Sequence, residues 1–155
     1  MGMRGVALGV GILIVALTVA GCGGGGQEST KTIPKAVFVK KANAICKKNS
    51  ERMVAAFTAF LAKKKSSITH PSKAVKEELV GEAMVPGVKR EIEELQALGA
   101  PSGDEDSVGE IIKALEEGLE TAESNPEAVV SSSDAVFGIA SRLAGEYGLE
   151  VCGSR

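Results

Sequence analysis

Any chemistry in this chain must come from a short set of side chains: three cysteines, one histidine and twenty carboxylates. Cys22, Cys46 and Cys152 form no Cys-x-x-Cys, the spacing typical of dithiol redox sites. His70 stands alone before Pro71, in a segment that reads as a turn, so it is expected as a solvated turn residue. A conventional zinc site needs several Cys or His ligands. A di-iron carboxylate bundle needs Glu-x-x-His on two helices. One histidine supplies neither, and no metal is expected. Gly-x-Ser-x-Gly and Ser-x-x-Lys are both absent, so the commoner serine nucleophile patterns are missing. Gly23 to Gly26 are not followed by Gly-Lys-Ser/Thr, so they are not a phosphate loop. Glu93-Glu94 and Glu116-Glu117 are neighbours that diverge by about 100° on a helix and read as solvated faces. The sequence therefore predicts neither an enzyme nor a cofactor.

The cysteines are better read by position. Met1 and Arg4 supply positive charge, and Val6 to Ala20 is an apolar run of fifteen residues broken only by Gly9, Gly11 and Thr18. That is short of the roughly 20 residues a spanning helix needs. The run ends in Val19-Ala20-Gly21-Cys22. This stretch resembles the lipobox of bacterial lipoproteins, which implies that residues 1–21 are a signal peptide. It also implies that Cys22 becomes a lipidated N-terminus, anchoring the chain through its acyl chains to the extracytoplasmic side of a membrane, in the cell envelope. Each buried methylene adds about 0.8 kcal/mol, so two or three chains hold firmly. Residues 22–33 then form a tether. Its four successive glycines lose too much backbone freedom to hold regular structure cheaply.

Net charge near zero hides an asymmetry. From Gly23 to Arg90 there are fourteen Lys/Arg against five Glu, a net +9. From Glu91 to Arg155 there are three against fifteen, a net −12. Either the two halves neutralise one another, which is the preferred reading, or one face meets a charged partner. Lys40, Lys41, Lys47 and Lys48 share one side of the first helix. They could rest on anionic headgroups, meet an envelope protein, or pair with the acidic third segment. Nucleic acid is not expected as a partner outside the cytoplasm.

Residues 34–155 read as one helical domain. Only five aromatics are present, and the Ala, Val, Leu and Ile residues recur with helical period. Segment one runs from about 34 to 65, with Phe38, Ala42, Ile45, Cys46, Asn49, Met53, Ala56, Phe57 and Phe60 on one face. Segment two spans about 72–98. Its stripes Val75-Leu79-Ala83 and Val88-Ile92-Leu95-Leu98 are out of phase by about a quarter to a third of a turn. Pro86-Gly87 lies between them, so a kink or break is expected there. Segment three follows a capping-box pattern, Ser102-Gly103-Asp104-Glu105. Segment four opens at Asn125-Pro126, is interruptible at Ser131-Ser132-Ser133, and stops at Gly148. Short loops imply an all-α, antiparallel (up-down-up-down) four-helix bundle, expected as a monomer.

With Cys22 lipidated, Cys46 and Cys152 remain as an even pair outside the reducing cytoplasm, which reads as a disulfide. The couplet Asn43-Ala44-Ile45-Cys46 with Tyr147-Gly148-Leu149-Glu150-Val151-Cys152-Gly153 looks like small actinobacterial envelope lipoproteins of uncharacterised role. That likeness implies a fold more than an activity. Asn49 sits mid-stripe, where a buried amide sets register or recognises a ligand. Tyr147 is expected to bury its ring while its hydroxyl finds a partner near the bundle end. Two functions stay open. One is a non-enzymatic interaction or structural module of the envelope. The alternative is a carrier or sensor holding a small apolar ligand or lipid between its helices. An apolar pocket favours the second; a tightly filled core favours the first.

Overall fold

The computed structural model describes residues 33–65 and 69–154. The leader, Cys22 and the tether up to residue 32 lie outside the described residues, as do Ser66 and Ser67. What is described is all-helical, with no strand among the described residues. None of the described helices is long and apolar enough to cross a membrane.

Helix α1 spans Lys35–Lys63 and buries Phe38, Ala42, Cys46, Asn49 and Leu61. Ala56, expected on the buried stripe, is exposed. Helix α2 spans Lys73–Leu79, and Ser72 caps it by accepting from the Val75 N–H. A π-helical turn, Val80–Met84, follows without a break and leads into α3, Val85–Leu98. The expected kink at Pro86-Gly87 is replaced by this turn. Pro86 has no N–H to give and its ring crowds the carbonyl four residues back. The turn ahead of it widens, and the Val85 N–H bonds Val80 O, five residues back. One inserted residue rotates the following side chains by about 100°, the offset between the two stripes. Val80 and Ala83 in the turn, and Val88, Ile92 and Leu95 beyond it, are thus all buried along one continuous rod. Gly99, at φ +71°, ends it.

Helix α4 spans Glu105–Ser124. The capping box does not form as read: Asp104 holds the N-cap position without a side-chain cap, and Glu105 reaches back to accept from the Gly103 N–H at 2.6 Å. Asn125 caps α5, Pro126–Ser131, with Pro126 in its first turn. Ser132 breaks the segment, as expected, and its hydroxyl caps α6, Ser133–Tyr147. Gly148 stops α6 in the left-handed region, at φ +101°. The last turn is α7, Glu150–Gly153.

Packing runs α1 on α3, α3 on α4, and α4 on α6. Helices α1 and α6 meet at one end, where Phe38 packs on Tyr147, and α7 touches both. The main core gathers Phe38, Ile92, Leu95, Ile111, Leu115 and Leu149. A smaller one, Val80, Ala122 and Val129, sits under α5.

Close approach of α7 to α6 needs Gly153. A methyl group there would lie 2.8 Å from Ser141 O and Gly145 N, backbone atoms that cannot swing away. Gly153→Ala is expected to destabilise by about 1–3 kcal/mol in urea unfolding. Gly109→Ala, in open space on α4, is expected to be neutral or to stabilise by up to about 1 kcal/mol. Equal effects at both positions would refute the tight α6–α7 contact.

Candidate functional site: an apolar cavity beside a buried polar cluster

A cavity of about 160 Å³ lies along α6, between it, α3, α4, Met53 of α1 and the C-terminal strap. Small residues make it: Ala140 and Ala144 on α6 fill little of the space facing α3 and α4. Its walls are Val88 and Leu95 from α3, Ile111 and Leu115 from α4, and Leu149 and Cys152 from the C-terminal strap. Met53 on α1, Met84 from the π turn and Phe137 on α6 complete the apolar lining. Met53, Met84 and Phe137 are each half-buried. Polar groups enter only from α6, as Ser133, Asp134 and Ser141. The cavity opens to solvent on the side of Ser133 and Asp134, both exposed.

Cys46 and Cys152 are joined by a disulfide that links α1 to α7 across 106 residues, with their Cα atoms 5.3 Å apart. Beside it lies a polar cluster that no solvent reaches. Asn49 and Glu91 are both completely buried. The Asn49 amide nitrogen donates to Gly87 O at 2.7 Å and to Glu91 Oε2 at 3.0 Å. Glu91 Oε1 packs 3.7 Å from Cys46 Sγ, a disulfide sulfur with no proton to donate. Gly87 permits this closeness. The Met53 side chain lies against it, in the place a Cβ would occupy. Among the described residues, Asn49 Oδ1 is the one buried side-chain polar atom with no hydrogen-bond partner.

Tyr147 is half-buried at the end of α6. Its ring meets Phe38 edge-on, with centroids 5.9 Å apart, and its hydroxyl donates to Asp104 Oδ2 at 2.8 Å. Lys35 Nζ lies 4.0 Å above the ring and 3.4 Å from Asp104. Burial, then the Asp104 hydrogen bond and charge, push the phenol well above its ordinary value. A shallow polar cleft of about 310 Å³ opens alongside, between Lys35, Glu110, Glu146 and Tyr147.

The basic face of α1 is exposed at Lys40, Lys41, Lys47 and Lys48. Lys47 pairs with Glu51 on its own helix, at 3.9 Å. Among the described residues none of the four forms a salt bridge to α4, so that part of the neutralisation reading fails. The halves are linked elsewhere, through Lys35–Asp104, Arg52–Glu94 and Lys73–Glu127. His70 is exposed, with Nδ1 2.9 Å from Thr69 Oγ1. No group of three or more His, Cys, Asp or Glu is gathered for a metal ion among the described residues.

Glu91 was missed by reading charge as surface. The signal was its register: residues 88, 91, 92 and 95 share one face of a helix. Comparison with protein-family models, curated proteins and solved structures yields no match.

The cluster and the phenol both carry testable consequences. Asn49→Ala strips Gly87 O and Glu91 Oε2 of a shared donor, and is expected to cost about 1–3 kcal/mol in chemical unfolding. Adding Glu91→Leu should recover part of that loss, a non-additivity read from a double-mutant cycle; simple additivity would deny the coupling. Tyr147 titrates higher in the folded state than unfolded. Its stabilisation is therefore complete below pH of about 10, the unfolded value, and is lost as pH rises further, since the unfolded chain releases the proton first. Stability should fall more steeply above pH of about 10 in the parent than in Tyr147→Phe.

Proposed function

We propose that this chain is a lipid-tethered carrier or sensor of the cell envelope that holds a small apolar group in the cavity between its helices. The observation that carries this reading is the cavity. A module that acts only through its surface needs a filled core, and here about 160 Å³ beside α6 is left open to apolar walls. Voids of about 150 Å³ lined by Leu, Ile and Phe bind benzene-sized molecules. The size argues for a compact ligand rather than a whole lipid.

We further read the long rods, α1, α2–α3, α4 and α6, as an antiparallel four-helix bundle acting as a monomer. Pairings whose numbers run in opposite directions support it: Lys64–Glu78 and Asn49–Glu91 between the first two rods, Asp104–Tyr147 and Gly118–Phe137 between the last two. Anchoring through Cys22 rests on the lipobox resemblance, and a buried disulfide suits the oxidising side of a membrane. Lys40, Lys41 and Lys48 then remain for anionic headgroups or an envelope protein, each worth up to about 1 kcal/mol at a lipid surface.

Two measurements test the proposal. Protein extracted from its host membrane should begin at an acylated Cys22 by mass spectrometry; an intact leader would remove the anchor. In methyl-labelled full-length protein in nanodiscs, benzene should shift the Met53 and Met84 methyl signals. Ala140→Leu, which fills the cavity, should abolish the shift. Perturbation confined to exposed Val54 and Ile139 would count against a carrier.

A further inference from the structure

We propose that the cavity is selective for a monocyclic aromatic amine, its ring held between Met53, Met84 and Phe137 and its ammonium group at Asp134. This rests on the carrier reading and adds the ligand class. The volume is that of one six-membered ring, about 160 Å³ against the roughly 150 Å³ that admits benzene.

The lining distinguishes an aromatic ring from an aliphatic one. Two thioethers and one phenyl ring face the void. Sulfur packs favourably against the edges of aromatic rings, and Phe137 offers an edge-to-face partner. A cyclohexyl ring gains the same burial and neither of these contacts. Phe137 is held against Gly118, where a Cβ would come within 2.6 Å of two ring carbons. The methionines are the adaptable side, unbranched and half-buried.

Charge is placed on one side only. Every polar lining group belongs to α6, and Asp134 is the sole ionisable one. A carboxylate accepts hydrogen bonds and cannot donate them, so a polar end that meets Asp134 is a donor. A cation gains attraction as well, and an anionic ring compound is repelled. The first turn of α6 carries a partial positive charge of about half a unit, which works against a cation. The full charge of Asp134, itself in that turn, outweighs it. Asp134 is exposed, so its contribution is modest and selectivity rather than raw affinity is its signature.

The test uses full-length protein in zwitterionic nanodiscs, read at the Met53 and Met84 methyl signals during titration. Benzylamine should bind about threefold to fivefold more tightly than benzene, and benzoate more weakly than both. Asp134→Asn should collapse that order while leaving benzene binding unchanged. Cyclohexylmethylamine should bind more weakly than benzylamine, and Met53→Leu with Met84→Leu should narrow that gap, read in the double variant at the Leu115 methyl signals. If benzene binds but benzylamine and benzoate are equal to it, or Asp134→Asn leaves the order intact, the amine assignment is overturned and the carrier stands. Equal binding of the two amines overturns the aromatic assignment. If no compound shifts these methyls, the carrier reading itself falls.

Discussion

The arrangement depends on one covalent link between the first long helix and the last short one. Helix α7 has four residues, far too few to persist alone, since isolated helices shorter than about twelve residues are marginal in water. It is held by Cys152 bonded to Cys46, by Asn43 Oδ1 accepting the Val151 N–H at 2.9 Å, and by the backbone contact at Gly153. Closing a loop of 106 residues stabilises a fold by up to about 4–5 kcal/mol in the chain-entropy picture. In a domain with a small, aromatic-poor core, that is a large share of the total. The strap also touches both α1 and α6, and it closes one end of the cavity while leaving its middle unfilled.

A second constraint acts from the other side. Pro86 forces the π turn, and the π turn both buries Val80 and Ala83 and places Met84 at the cavity. Gly87, next in the chain, lets α1 come close enough for Asn49 to reach a helix carbonyl and the Glu91 carboxyl together. Buried polar groups of this kind are costly when unpaired and specific when paired. Asn49 and Glu91 therefore fix how far α1 can slide along α3, with the disulfide against the same carboxyl. The staple, the polar cluster and the cavity wall form one contiguous unit around Cys46, Cys152 and Met53.

Much of this was legible in the residues. The helical period set the class, and Asn125, Ser132 and Gly148 marked helix ends correctly, because caps and left-handed stops are local chemistry. The cysteine pair was legible from number and position. Three features were not. Glu91 reads as surface because charge outweighs register in a sequence, although its spacing from Val88 and Leu95 placed it inward. The π turn reads as a kink because a proline signals only a lost hydrogen bond, not how the helix absorbs it. The cavity has no sequence signature, since it arises from Ala140 and Ala144 facing space that another helix could have filled. The basic stripe on α1 was visible, but its partner was not, because α1 and α4 lie on non-adjacent sides of the packing.

Amide hydrogen exchange, compared between the oxidised protein and the Cys46→Ser, Cys152→Ser double variant, measures the role of the staple most directly. Protection should be lost through α7 and weakened in the facing stretches of α1 and α6, while α3 and α4 keep theirs. Unchanged protection in α7, α1 and α6 would contradict a strap that holds the cleft together, and uniform loss in every helix would show a staple of global stability with no special part in the cavity.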